Sequence, residues 1–324
     1  MTTLHRFASR AEWLAARRIG GSDVAAILGV SSYRGPWDVL EALRGEAPPD
    51  RTDDSRERGR ALEPTVLRHY ARATRQAVEP SPPHSLYTRE DWASATPDAV
   101  VRGLVVEVKT DRERRNWGEP TTIERWTPEA AEVVRADYYL QLTHYLWVLD
   151  ADAGDLAVLV PGSDPFVPEL RIYRVLRDRE LEARLVDRLR GWWDRHVVRG
   201  ELLDPDGSEA ASRLLAQSVD RGTRQATARE VALAAAYETA RTTANQWDTY
   251  RRQLGQELVI EAGPFDRLEL PRGRVSIVRS EGRTTLDERA LLEAHPELAP
   301  TLNEYRRRTP GHCYPRVSGF GGSK

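Results

Sequence analysis

The tightest constraint on the fold is the stretch Leu104-Val105-Val106-Glu107-Val108-Lys109, which follows Gly103. Apolar, β-branched residues this dense after a glycine read as a strand. Side chains alternate along a strand, so Glu107 and Lys109 share one face while Val106 and Val108 share the other. Charged groups on a strand otherwise suited to burial need a reason, because an unpaired buried charge is costly. Upstream, the strand candidate Trp92-Ala93-Ser94-Ala95-Thr96 runs into Pro97-Asp98, with eight residues between Asp98 and Glu107. A strand or turn that delivers Asp98 beside Glu107 assembles two carboxylates and an amine in one pocket.

The amine stands out by scarcity. Of 48 lysines and arginines, only Lys109 and Lys324 are lysine. Lysine differs from arginine in being a compact charge whose proton affinity a site can tune. Two carboxylates, a backbone carbonyl and waters form the oxygen-rich shell that Mg²⁺ prefers. The lysine can then orient or deprotonate an attacking water. The competing reading is a solvated strand face, since this spacing arises by chance in a chain that is 30% charged. The apolar density around Glu107 and the single internal lysine weigh against it.

A length of 324 residues suits one large catalytic domain plus an appended segment, and 40% hydrophobic residues suit a packed core. No apolar run reaches the roughly 18 residues of a membrane span. Met1 to Arg6 lacks the charged start and apolar stretch of a signal peptide. The single cysteine, Cys313, excludes an internal disulfide framework and a cysteine-clustered metal site. A cytoplasmic location with no membrane contact is the expectation. The net charge of −2 does not mark a nucleic-acid binder, though a cleft can be basic under an acidic exterior.

Along the chain, residues 1–45 read as short helices: 11–18, one opening at Ser22 as its N-cap, and one from Pro36 to Leu43. Ala47 to Asp54 reads as a loop. Leu62, Val66, Leu67 and Tyr70 mark a helix over 56–76, followed by a turn-rich piece around Pro80, Pro82 and Pro83. Residues 128–150 read as one helix buried along Tyr138, Leu142, Tyr145 and Leu146. Strands follow at 155–160 and 170–175, then a helix over 178–199 and a loop-like stretch from 200 to 222. A domain boundary near 222 separates residues 1–222 from 223–324. The second part holds a long helix (226–260), a hairpin across 268–278, a short helix (286–294) and a basic, aromatic tail from Tyr305 to Val317.

Four motifs in order also resemble the YqaJ-type viral recombinases, relatives of lambda exonuclease among the PD-(D/E)xK nucleases. They are Ile19-Gly20-Gly21-Ser22-Asp23-Val24-Ala25-Ala26-Ile27-Leu28-Gly29, Gly59-Arg60-Ala61-Leu62-Glu63-Pro64, the Pro97-Asp98 and Glu107-Val108-Lys109 pair, and Gln141-Leu142-Thr143-His144-Tyr145. The region after 225, with Thr285-Leu286-Asp287, is similar to the C-terminal extension of phage members. The resemblance implies an α/β restriction-endonuclease-like core, a mixed β-sheet flanked by helices, with a C-terminal helical and small β accessory unit. It further implies Mg²⁺, with Mn²⁺ as the alternative, held by Glu63, Asp98, Glu107 and the Val108 carbonyl. Lys109 would act on the water, Gln141 would position the phosphate or the lysine, and Tyr145 would face the same cleft. Ser22, with Arg17 or Arg18, would bind a 5′-terminal phosphate.

The implied activity is 5′-to-3′ degradation of double-stranded DNA ends, leaving 3′ single-stranded tails for phage-type recombination. A single-strand annealing protein and a homo-oligomer are the implied partners. The rival expectations are an endonuclease or a RecB-like end processor on the same core, or a DNA-end-binding module without catalysis. His144 and His69 read as ordinary histidines, and Trp147 and Trp192-Trp193 as core. Arg306-Arg307-Arg308 with Tyr305 and Tyr314 reads as a solvated tail.

Overall fold

A computed structural model describes residues 1–46, 54–163, 167–217, 223–271, 273–278 and 287–305. The chain divides into two compact units, Met1–Gln217 and Ser218–Lys324. Thr285-Leu286, Cys313 and the tail beyond Tyr305 lie outside the described residues.

The first unit runs β1 (Thr2–Arg6), α1 (Arg10–Ala15), α2 (Gly21–Ile27), α3 (Pro36–Leu43), α4 (Asp54–Thr74), β2 (Ser85–Arg89), β3 (Ala93–Ala95), β4 (Ala99–Val101) and β5 (Leu104–Thr110). It continues with β6 (Thr122–Ile123), α5 (Pro128–Val133), α6 (Ala136–Leu149), β7 (Ala153–Pro161), β8 (Pro168–Leu176), α7 (Arg179–Trp193) and α8 (Glu209–Gln217). Five strands form a mixed sheet in the order β4-β5-β7-β8-β6. The pairs β4–β5 and β7–β8 are antiparallel, and β5–β7 and β6–β8 are parallel.

The β4–β5 hairpin turns through Arg102 and Gly103 alone, since Val101 pairs with Leu104. Both turn residues have positive φ, 51° and 85°, the type I′ pattern whose twist matches that of the strands. The strong twist of a hairpin this tight sets β4, and the residue before it, against β5. Three-residue β4 is too short to carry a sequence period, so it was not foreseen.

Alternation along β5 is as expected. Val106 and Val108 pack with Val66, Leu67 and Tyr70 of α4, whereas Val105 packs with Leu142 and Leu146 of α6. Helices therefore flank the sheet on both faces, the expected α/β architecture. Tyr70 also ties α4 to the sheet, donating its hydroxyl to Asp155 at 2.7 Å while Arg174 clasps the same carboxylate at 2.8 and 2.9 Å.

Several expectations needed revision. β1 lies where only helices were expected and pairs antiparallel with β2 in a separate sheet, β1-β2-β3. Its sequence, Thr-Thr-Leu-His-Arg, alternates poorly, so backbone pairing rather than a buried face holds it. The helix over 128–150 is two, because Val134 and Arg135 are extended. α6 is buried continuously from Tyr139 to Val148, wider than one stripe, because α2 packs on it as well as the sheet. The loop-like stretch contains α8, which buries Ala210, Ala211 and Leu214 and joins Arg213 to Glu41 at 2.6 and 2.9 Å. Its contacts are mostly alanines, which mark a helix face weakly.

The second unit comprises α9 (Ala228–Ala262), β9 (Arg267–Leu270), β10 (Gly273–Ser276), α10 (Glu288–Ala294) and α11 (Ala299–Tyr305). Thr227 and Glu230 form a reciprocal cap at the start of α9, which satisfies two otherwise orphaned backbone donors. β9 and β10 make the expected antiparallel hairpin. Among the described residues, no helix is long and apolar enough to cross a membrane.

Candidate active site

The hairpin sets the site. Asp98 immediately precedes β4, and its Oδ2 accepts the Val108 N–H of β5 at 2.6 Å. Backbone N–H and C=O of one strand residue point to the same edge, so the Val108 carbonyl faces the Asp98 side beyond the end of β4. One residue back, Glu107 is buried and turns its side chain toward α6. Its Oε1 accepts from Lys109 Nζ at 2.5 Å and from Gln141 Nε2 at 2.6 Å. Its Oε2 is buried with no hydrogen-bond partner among the described residues. Gln141 also donates to the Tyr145 hydroxyl at 3.2 Å, one turn along α6, and Tyr145 donates to the Thr96 carbonyl at 3.4 Å. The Lys109 ammonium lies 5.0 Å from the centre of the Tyr138 ring.

Glu63 approaches from α4. Gly59, one turn earlier on that helix, sits beside Thr110 at the end of β5, where a Cβ would lie 4.0 Å from the Thr110 hydroxyl. Pro64 lies inside α4, so Glu63 sits in the interior of that helix. Burial and then repulsion from Glu107 raise the Glu63 pKa, against the pull of Lys109 and Arg60. Burial and the Glu107 charge hold Asp98 well above the usual carboxylate range. For Lys109 burial works the other way, but Glu107 and Asp98 outweigh it and raise the amine. The site is an acidic cluster with the Lys109 ammonium within it and the Arg60 charge acting on Glu63. Among the described residues, no three acidic, histidine or cysteine side chains already form a metal cage.

A second group of charges surrounds the start of α2. The Asp23 carboxylate is fully buried and caps the helix by accepting the Gly20 N–H at 3.0 Å. Gly20 is therefore the N-cap, not Ser22, which lies exposed in the first turn. Arg17 and Arg34 both donate to Asp23 Oδ1, at 2.8 and 3.0 Å. Arg18 turns away and donates to the Glu90 carbonyl at 2.7 Å. Of the two arginines left open, Arg17 is the one held on Asp23, the residue that follows Ser22 in the chain. The sequence reading missed Arg34, which no spacing marks, and Asp23, whose place three residues after Gly20 is a cap signal.

Gly21 explains the paired glycines. A Cβ there would lie 2.5 Å from Tyr145 Cε1 and 2.9 Å from Gln141 Cγ. The α2 backbone thus rests directly on the two α6 residues that line the site. His144 faces away and lies within bonding distance, 3.0 Å, of the Ser94 carbonyl. Burial lowers its pKa to about 4. Trp147 and Trp192 are buried in the core and Trp193 packs against it.

Residues 12–153 match the family model of the YqaJ-like viral recombinase domain. The chain is 26% identical over 214 residues to Uncharacterized protein YqaJ of Bacillus subtilis (strain 168), a match covering 64% of this chain. It spans 62% of the length of that relative. Among solved structures, a phage related exonuclease from Haemophilus somnus 129PT aligns with 57% of this chain and 97% of its own, at 14% identity and a TM-score of 0.44. The alkaline exonuclease LHK-Exo from Laribacter hongkongensis aligns with 58% of this chain and 93% of its own, at 17% identity and a TM-score of 0.42. The stretch that matches the family model encloses Arg17, Ser22, Glu63, the Asp98–Lys109 hairpin, Gln141 and Tyr145.

Proposed function

We propose that this chain is a metal-dependent nuclease that degrades double-stranded DNA from 5′ ends and leaves 3′ single-stranded tails. The observation that carries the reading is Glu107: one oxygen is held by Lys109 and Gln141, and the other is buried with no partner among the described residues, in a carboxylate whose charge helps raise Asp98. A divalent cation fits these residues, because it would satisfy the bare oxygen and relieve the repulsion that raises Asp98 and Glu63. Asp98, Glu107, Glu63 and the Val108 carbonyl would hold it. When bound, Mg²⁺ or Mn²⁺ polarises the phosphoryl oxygen and stabilises the leaving 3′ oxygen.

The protein groups divide the remaining work. Gln141 fixes the Glu107 carboxylate in one orientation. Lys109, whose amine pKa is raised by Glu107 and Asp98 against the effect of burial, steadies negative charge on a phosphate. Neutralising those carboxylates removes the cause of its raised pKa, and burial then moves the amine toward a base able to take a proton from water. Arg17 and Arg34, gathered on Asp23 beside the exposed Ser22 hydroxyl, offer charge-assisted donors to a terminal 5′ phosphate. A single-strand annealing protein would take up the 3′ tail. The decisive experiment is digestion of linear duplexes with 5′-phosphate or 5′-hydroxyl ends, alongside closed circular DNA, with Mg²⁺ or chelator. Loss of the phosphorylated strand from its end, with intact circles and no reaction in chelator, is expected. Cut circles would make the enzyme an endonuclease, and end binding without cleavage would make it a binding module.

A further inference from the structure

The loop between α2 and α3 carries an aromatic side chain that stands outside the core. Tyr33 is 74% exposed, yet it is held in place. The Ser31 hydroxyl accepts the backbone N–H groups of Tyr33 and Arg34 at 3.2 and 3.3 Å, which ties down the turn beneath the ring. Arg135 donates from Nη1 to the Tyr33 hydroxyl at 3.2 Å, and its guanidinium carbon lies 5.3 Å from the ring centre. Arg135 is itself fixed, because Asp137 accepts from its Nε at 3.1 Å and its Nη2 at 2.6 Å. The same guanidinium lies 4.8 Å from the centre of the Tyr138 ring. Tyr138 in turn stacks on the buried Trp117 and lies 5.0 Å from the Lys109 ammonium. A row of aromatic and cationic groups thus runs from the core, past Lys109, to an open ring at the surface.

We propose that Tyr33 stacks on the base of the 5′-terminal nucleotide of the DNA substrate. The proposal rests on the 5′-exonuclease reading above and adds a base subsite to it. Two connections locate the base. Arg34, the next residue in the chain, shares Asp23 with Arg17, and these are the donors offered to the terminal phosphate. On the other side, Arg135 and Tyr138 join Tyr33 to Lys109, where the phosphate to be cut would lie. In a 5′-terminal nucleotide the base projects from a sugar that lies between those two phosphates. The ring connected to both is therefore the one the base meets. Preorganisation favours the contact: a free surface tyrosine would lose rotamer freedom on stacking, whereas a ring anchored through its hydroxyl on Arg135 has already lost it. Stacking needs only a π-face, which every base has. The subsite accordingly accepts any base and registers a missing base instead of a different one.

Removal of the first nucleotide by the full-length protein tests this, with enzyme in excess over 5′-phosphorylated duplexes in Mg²⁺. Each duplex carries either a normal base or an abasic residue at its 5′ end. With the normal base, Tyr33→Ala should raise the enzyme concentration that gives half the maximal rate by about 10-fold, the scale of one stacked base. The maximal rate should stay within about 2-fold, as for a contact made equally before and during the reaction. Tyr33→Phe, which keeps the ring, should restore the parent value. On the abasic end the parent should itself need about 10-fold more enzyme, and Tyr33→Ala should add nothing further. A Tyr33→Ala protein with the parent's half-maximal concentration, an equal loss on both ends, or a Tyr33→Phe protein as weak as Tyr33→Ala would each overturn the stack and leave the exonuclease reading intact. A parent that releases nothing from the 5′ end would overturn that reading, and the subsite with it.

Discussion

Replacing Gly21 with alanine probes the contact on which the site is built. The added Cβ would stand 2.5 Å from Tyr145 Cε1, 2.9 Å from Gln141 Cγ and 3.0 Å from the Gln141 backbone oxygen. None of these neighbours can yield readily. Tyr145 is buried and tethered to Thr96 and Gln141, and the Gln141 carbonyl belongs to the α6 ladder. The helix α2 must therefore back away. Overpacking of this kind costs about 1–3 kcal/mol, of which the better helix propensity of alanine returns at most about 1 kcal/mol. The closeness of the contact puts the cost near its upper end, leaving a net loss of about 1–2 kcal/mol; for a unit of this size each kcal/mol lowers Tm by roughly 2–4 °C, so a fall of roughly 2–8 °C is expected. Gly20→Ala is the control, because its Cβ would meet only Asp23 Oδ2, at an ordinary 3.5 Å. Thermal unfolding followed by circular dichroism reads both variants. A Gly21→Ala protein that melts with the parent, or one no worse than Gly20→Ala, would refute the close-approach argument.

Lys109→Arg keeps the charge but loses the tunable amine, so cleavage should fall by roughly 10²-fold or more while end binding in a gel-shift assay survives; near-normal turnover would remove Lys109 from the chemistry. Asp98 has a raised pKa in the fold, so its contribution to stability is full below the ordinary carboxylate range and is lost as pH rises through the raised value. Asp98→Asn should accordingly melt higher than the parent at neutral pH in chelator while losing cleavage, and a lower Tm would contradict the repulsion. The opposite sign applies to His144, whose pKa is lowered by burial to about 4. Its contribution is present above about 6.5 and is lost as pH falls toward 4, on the order of 3 kcal/mol. Urea unfolding at stepped pH should show that slope flatten in His144→Gln, and an unchanged slope would place the acid sensitivity elsewhere.

The site and the sheet that carries it differ in how openly the sequence displays them. β5 and β7 could be read because burial on both faces demands dense apolar runs, whereas in β8 every second residue from Arg171 to Val175 is buried. The pairing of Glu107 with Lys109 followed from strand alternation alone. Gln141 and Tyr145 were legible as polar groups one turn apart on an apolar helix, although the burial of α6 on all sides was not, since that comes from α2 packing over it. β1 and α8 left little trace: one is held by backbone pairing and the other by alanines and an Arg213–Glu41 pair 172 residues apart. Arg34 joins Arg17 only because Asp23 is buried between them, a contact made by tertiary structure.

The two-residue turn at Arg102-Gly103 also sets the order in which the site can come into being. Asp98 reaches Val108 across ten residues and Lys109 is two from Glu107, whereas Gln141 is 34 residues from Glu107. Hairpins close in roughly 1–10 μs, well ahead of contacts that must shut long loops. The nascent hairpin therefore gathers two carboxylates before α4 and α6 have docked, and the lysine that offsets them travels on the same strand. An amine supplied from a distant helix would arrive too late to ease that first step. Lys109 is thus placed to speed refolding, and its removal should slow the refolding arm rather than hasten the unfolding arm.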